Sequence, residues 1–124
     1  MNYKQKVKQI TEKYSKYMFV PTVDIQSFAC SNSGIIVLDI NMWHNPNAFF
    51  VFSILHEIGH CETYQKGQSK VKREYLATQW AIEHCKEYQI KLNSKQINAW
   101  QDYIYSFTKA KDKSKYELDW SPMK

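Results

Sequence analysis

The first part of the chain changes from helical to strand-like spacing of its apolar residues. Helical spacing predicts an amphipathic helix over residues 2–18, and Pro21 follows its end. Its apolar positions are Tyr3, Val7, Ile10, Tyr14, Tyr17 and Met18. Two runs of β-branched and apolar residues come next, on either side of a polar turn at 31–34. They predict two antiparallel strands, at about 23–29 and 35–40.

Helical spacing continues through the middle of the chain. Asn45 as N-cap and Pro46 at the first helical position predict a helix over about 46–65. Its first turns are apolar on most faces, which is typical of a buried helix. A polar loop around Gly67 separates it from a further predicted helix at about 70–89.

A last helix is predicted at about 94–110, with Ser94 as its N-cap. The polar tail 111–124 is expected to fray or to dock loosely. Glycine and proline number only three each in 124 residues, which favours long helices over sharp turns. Together these elements predict one α+β domain over residues 1–124, mostly helical, with a small antiparallel sheet.

Cysteine usage and apolar run lengths favour a cytoplasmic protein. The cysteines Cys30, Cys61 and Cys85 are odd in number and form no CxxC pair, which predicts reduced thiols. The first residues lack the apolar core of a signal peptide. The longest apolar run, at 48–55, is too short to cross a membrane, so no membrane partner is expected.

The net charge of +5 does not by itself predict a nucleic-acid partner. Lysines concentrate in the first predicted helix, at 66–73 and in the tail. No RNA- or DNA-binding motif accompanies them, and lysine-rich helix faces are commonly solvated. The basic loop at 66–73 either favours a partner with an acidic surface or serves only to solvate the loop.

The sequence His56-Glu57-Ile58-Gly59-His60 lies inside the predicted buried helix. Four residues advance a helix by about 6 Å and about 400°, so both imidazoles leave the same face and can reach one metal ion. Zinc lowers the pKa of a bound water to about 7, and a carboxylate beside it can take the proton. His56 and His60 are therefore predicted zinc ligands, and Glu57 is the predicted general base.

The alternative interpretation is a pair of hydrogen-bonded core histidines without a metal. A chance match to this motif falls more often on an exposed polar helix than on an apolar one. Burying two histidines and a glutamate without partners costs several kcal/mol, so these groups need a compensating partner. The apolar setting thus favours a metal.

A catalytic zinc needs a third protein ligand and an open fourth position. The downstream candidates are Glu62, Glu74, Glu83, His84 and Glu87. Glu74 is the only acid on the apolar stripe of the predicted helix 70–89. His84 lies about 80° from Glu74 around the helix axis and would point elsewhere. Glu74 is the predicted third ligand, and His84 is the alternative.

The segment from His56 to Thr63, followed by the helix that begins with Glu74, resembles the ImmA/IrrE family of zinc metallopeptidases. That family combines an HE(I/L)GH motif with a later helix of the form E-x-x-A-(N/D)-x-(F/W)-A, and the resemblance covers roughly residues 20–90. It implies a gluzincin-type peptidase that binds zinc through Glu74 as well. Members of the family cut repressor proteins or act as partners of toxins, often in phages and mobile elements.

The chain departs from the family pattern in three ways. The interval between His60 and Glu74 is short, which predicts a reduced substrate cleft. Thr78 stands where the family has Asn or Asp to orient a ligating histidine, and a hydroxyl can also accept that hydrogen bond. The helix-turn-helix and the additional C-terminal domain of some members are also missing from the sequence.

The predicted function is a zinc-dependent endopeptidase that cleaves an intracellular protein, with a phage or mobile-element repressor as a candidate substrate. One alternative is a zinc-stabilised, non-catalytic binding module, such as an antitoxin or a phage-encoded inhibitor. Another is a DNA-associated protease of the SprT-like type, which uses a third histidine. Candidates for stabilising an oxyanion are Tyr64, Tyr75, Tyr103 and His44, each with packing or capping as the alternative role.

Overall fold

The computed structural model describes residues 2–23 and 27–123 of the chain. In this part of the chain helices surround a small three-stranded sheet, which confirms the predicted α+β class. The strands are β1 Met18–Thr22, β2 Phe28–Cys30 and β3 Ile35–Asp39. The α-helices are α1 Tyr3–Lys13, α2 Ile40–His44, α3 Ala48–Glu62, α4 Lys70–Cys85 and α5 Ser94–Tyr105. Short 3₁₀ helices cover Lys86–Tyr88, Ala110–Tyr116 and Ser121–Met123.

The sheet is mixed, whereas the sequence predicted an antiparallel one. Strand β3 lies in the centre, antiparallel to β2 and parallel to β1. The antiparallel partner of β3 was predicted at 23–29, of which 24–26 lie outside the described residues. Strand β1 was missed because the predicted helix 2–18 was too long. Helix α1 ends at Lys13, and Met18 pairs with Ile35 although its spacing from Tyr14 also fits a helix.

The chain between the sheet and α3 differs from the prediction at its caps. The predicted strand to residue 40 ends at Asp39, whose carboxylate accepts a hydrogen bond from Asn41 N and starts α2. The N-cap of α3 is Asn47, whose Oδ1 accepts from Phe50 N at 2.9 Å. Asn45, the predicted cap, ends α2 instead. Helix α3 therefore starts two residues later than predicted.

Helix α3 is the core element of the described chain, as its apolar first turns predicted. Its fully or almost fully buried apolar side chains are Phe50, Val51, Phe52, Ile54, Leu55 and Ile58. Gly59 lets α4 approach closely, because a Cβ at this position would lie 2.5 Å from the carbonyl oxygen of Ala77. This close approach brings the second half of α3 against the first half of α4.

The last two predicted helices end earlier than expected, and the tail packs differently. Helix α4 stops at Cys85 rather than at 89, and α5 begins after the N-cap Asn93 rather than Ser94.

The tail was expected to dock loosely, yet three of its apolar side chains are buried. These are Leu118, Trp120 and Met123. Gln101 holds the tail, since its Oε1 accepts from Leu118 N and Trp120 Nε1, each at 3.0 Å.

Candidate metal centre

Helix α3 presents the imidazoles of His56 and His60 to the same space, one helical turn apart. Their Nε2 atoms lie 3.1 Å from each other, and the ring planes are nearly perpendicular at 86°. His56 is buried, and His60 keeps part of its surface exposed. The spacing in the sequence thus gives the convergence that it predicted.

Helix α4 brings the carboxylate of Glu74 to the same point. Its Oε2 lies 3.1 Å from Nε2 of His56 and 3.0 Å from Nε2 of His60. Glu74 is buried in α4, and Ser69 is the N-cap of that helix. The close contact between Gly59 and Ala77 sets the distance between the two helices. Three potential ligand atoms therefore stand at the corners of a nearly equilateral triangle.

His84, the alternative third ligand, is engaged elsewhere. Its Nδ1 donates a hydrogen bond to the carbonyl oxygen of Trp80 at 2.7 Å. Its ring also stacks on the indole of Trp80, with the ring centroids 3.8 Å apart. The structure thus places Glu74, and not His84, beside the two histidines.

Thr78 determines which ring nitrogen of His56 carries the proton. The Thr78 hydroxyl donates to the backbone carbonyl of Glu74 at 2.8 Å, which uses its single hydrogen. The same oxygen lies 3.0 Å from Nδ1 of His56 and therefore accepts the Nδ1–H. The neutral imidazole then carries its lone pair on Nε2, which faces Glu74 and His60. This is the role that Thr78 was predicted to take over from Asn or Asp.

Glu57 lies beside this triangle without being part of it. Its Oε1 is 3.9 Å from Nε2 of His56, farther than Oε2 of Glu74. Ligand atoms of His56, Glu57 and His60 all lie within 4.8 Å of one another, so this group could hold a metal ion. Burial raises the pKa of Glu57, and the nearby imidazoles only partly oppose the shift.

The distances between the three potential ligand atoms suit a single metal ion. With the His56 proton on Nδ1, the Nε2 lone pair of His56 faces Nε2 of His60 and Oε2 of Glu74, each at 3.1 Å. A tetrahedral zinc with ligand bonds of about 2.0–2.1 Å separates its ligands by about 3.3 Å, close to these distances. Burial by itself raises the pKa of Glu74, but its hydrogen bonds and charge interactions with His56 and His60 outweigh this effect and lower that pKa.

Helix α5 closes one side of the site with two aromatic residues. The Trp100 ring packs against the His56 ring, with 4.7 Å between centroids. The Tyr103 hydroxyl donates to Oε1 of Glu74 at 3.4 Å, and burial raises the pKa of Tyr103 to about 12. Tyr103 was among the predicted oxyanion candidates. Trp100 was missed, because its position on the apolar stripe of α5 resembled that of any core residue.

The other oxyanion candidates lie away from the triangle. Tyr75 packs edge-on against Tyr116, and 40% of Tyr64 is exposed after the end of α3. His44 lines a separate basic pocket between α1 and α2. A cleft of about 700 Å³ opens over the triangle, and Tyr103 is the only one of these four candidates among its lining residues.

Comparisons with family models, curated proteins and solved structures gave no match to this chain. The resemblance to the ImmA/IrrE family therefore stays a prediction from the two motifs. Within residues 2–23 and 27–123, no helix combines the length and the apolar character needed to cross a lipid bilayer.

Proposed function

We propose that this chain is a cytoplasmic zinc-dependent endopeptidase in which His56, His60 and Glu74 hold the metal and Glu57 is the general base. The observation that carries the proposal is the convergence of three ligand atoms at 3.0–3.1 Å, with a buried carboxylate beside them. The three free cysteines fit a reducing compartment.

The donor set suits a catalytic zinc rather than a structural one. Two imidazole nitrogens and one carboxylate oxygen leave the fourth position of a tetrahedral ion open, as in other His₂Glu peptidase sites. Zinc in such a site lowers the pKa of a water molecule and polarises a carbonyl group. Neighbouring residues orient two of the proposed ligands. Thr78 fixes the tautomer of His56, and Tyr103 contacts the second oxygen of Glu74.

Glu57 does the proton transfer. Its carboxylate is buried, so its pKa lies above the usual range and closer to neutral pH, where a general base works best. It takes a proton from the attacking water and delivers it to the nitrogen of the leaving amine. The cleft of about 700 Å³ has the size of a typical ligand site and admits a short extended segment of a protein. By the family resemblance, a transcriptional repressor is a candidate substrate.

The two alternative functions receive less support. A SprT-like site needs a third histidine, and the ring of His84 is stacked on Trp80 instead. Three departures from the family pattern kept a non-catalytic zinc module open, and at one of them the Thr78 hydroxyl makes the hydrogen bond that a ligating histidine requires.

The test is hydrolysis by the wild type and by Glu57→Gln. We expect zinc-loaded wild type to cleave an unfolded protein such as casein, and a chelator to stop it. Glu57→Gln should bind zinc equally but cleave at least about 10²-fold more slowly, because an amide accepts no proton. Cleavage by the variant at the wild-type rate would remove Glu57 from this role. A zinc-loaded wild type that cleaves neither casein nor a repressor would favour the binding module.

A further inference from the structure

The cleft over the proposed metal site differs in chemistry from one end to the other. Apolar residues from four separate elements line the cleft, which are Phe28, Met42, Phe49 and Trp100. Trp100 packs on the His56 ring, and the apolar lining continues from there to Phe49 near the start of α3, which marks the apolar end. The rings of Phe49 and Trp100 stack with their centroids 5.7 Å apart. Phe28 is 43% exposed although it is a large aromatic residue. An apolar patch that stays open inside a cleft is typical of a ligand site.

The other end of the cleft is basic. Lys70 and Arg73, both exposed, line the cleft from the first turn of α4. No ion pair to either residue is formed within residues 2–23 and 27–123. The first turn of α4 also contains no acidic residue. The amino end of a helix already carries a partial positive charge, so these two side chains strengthen a potential that attracts anions.

The two ends lie on opposite sides of the histidines because α3 and α4 run antiparallel. Thr78 contacts His56, whereas the earlier residue Ala77 contacts the later residue Gly59. Phe49 precedes His56 by seven residues, about 10 Å along the helix axis. Lys70 precedes Glu74 by four residues, about 6 Å in the opposite direction. Along the helix axes, the backbone positions of Phe49 and Lys70 are thus about 16 Å apart, the length of about five residues of extended chain.

One acidic residue reinforces the difference between the ends. Asp39 lines the cleft next to α2, on the same side as Met42 and Phe49. Its carboxylate repels an anionic group at the apolar end and leaves the basic end as the favourable place for one.

We propose that the cleft selects an extended protein segment with a large apolar side chain on one side of the cleaved bond and an acidic side chain on the other. The spacing between these two side chains is about four to six residues. This inference rests on the proposed peptidase function, and it specifies the substrate class of the same site.

The test uses binding as well as cleavage. Fluorescent ten-residue peptides carry Phe or Ala at one position and Glu or Lys five residues away, in both chain orders. Their affinities for zinc-loaded Glu57→Gln are measured by anisotropy, and their cleavage by zinc-loaded wild type is measured separately. We expect the Phe/Glu peptide in one of the two orders to bind about tenfold or more tightly than the matched Phe/Lys and Ala/Glu peptides.

Charge reversal assigns this preference to the basic end. In the Glu57→Gln background, Lys70→Glu with Arg73→Glu should reverse the preference between Glu and Lys. Lys66→Glu with Lys72→Glu changes the net charge equally at positions that do not line the cleft, and should preserve the preference. Zinc content is measured in both variants, since neither pair includes a proposed ligand.

The outcomes separate the two proposals. Equal affinity for all peptides, no binding of any peptide, or the same response in both double variants would overturn the substrate preference. Cleavage by the wild type without such a preference would leave the peptidase function intact while the substrate class fails. Selective binding without any cleavage would support the substrate class and contradict the peptidase function.

Discussion

The hydroxyl of Thr78 lies 3.0 Å from Nδ1 of His56 while it donates its own hydrogen to the carbonyl of Glu74 at 2.8 Å. One side chain of α4 thereby sets the tautomer of a histidine on α3 and is anchored to the backbone of the predicted third ligand. A larger amide or carboxylate is not needed at this position, because the hydroxyl oxygen has a free lone pair after it has donated.

Replacing Thr78 by valine tests this hydrogen bond. Valine keeps the shape of the side chain but leaves the Nδ1–H of buried His56 without an acceptor. We expect zinc affinity, measured by competition with a chromophoric chelator, to fall about 10–100-fold. Thr78→Ser keeps the hydroxyl and should stay near the wild type. Equal affinity in the valine and serine variants would show that the hydroxyl does not orient His56.

The contact between Tyr103 and Glu74 gives a second, smaller effect. The hydrogen bond is long at 3.4 Å, so the loss of the hydroxyl in Tyr103→Phe should weaken zinc binding only a few-fold. The matched control is Tyr105→Phe on the same helix, whose ring lies near Lys113 rather than at the site. If the two variants bind zinc alike, Tyr103 does not position Glu74.

Gly59→Ala should separate the two helices that hold the site. The new Cβ would lie 2.5 Å from the carbonyl oxygen of Ala77, a backbone atom that cannot move without moving α4. We expect the metal-free variant to lose about 1–3 kcal/mol of unfolding free energy and to bind zinc more weakly. Ser53→Ala, on the same helix without such a contact, should unfold close to the wild-type temperature. If Gly59→Ala is as stable as Ser53→Ala, the close contact between Gly59 and the Ala77 backbone does not set the distance between α3 and α4.

The convergence of His56, His60 and Glu74 was largely predictable because its determinants are local. His56 and His60 are fixed relative to each other by one helical turn, and Glu74 is the only acid on the inward stripe of its helix. What the sequence did not supply is the distance between the helices, which depends on the contact of Gly59 with Ala77. The contribution of Trp100 was also hidden, since its contact with His56 arises only when α5 packs across α3.

The errors in the fold come from contacts between distant parts of the chain. Strand β1 exists because it pairs with β3, and no local pattern around Met18 specifies that pairing. In the tail, Trp120 is buried, packs near Phe52 and donates a hydrogen bond to Gln101, although the surrounding residues are mostly polar. The choice of Asn47 over Asn45 as the cap of α3 depends on α2, a short helix that the sequence did not predict.

Zinc content tests the proposed metal site most directly. Elemental analysis of the purified wild type should find about one zinc per chain. Glu74→Ala should lose the metal, because it removes the carboxylate that lies within 3.1 Å of both imidazoles. His84→Ala should retain it, since that ring stacks on Trp80. A wild type without bound zinc, or a Glu74→Ala protein that keeps zinc at wild-type affinity while His84→Ala loses it, would contradict the proposed site.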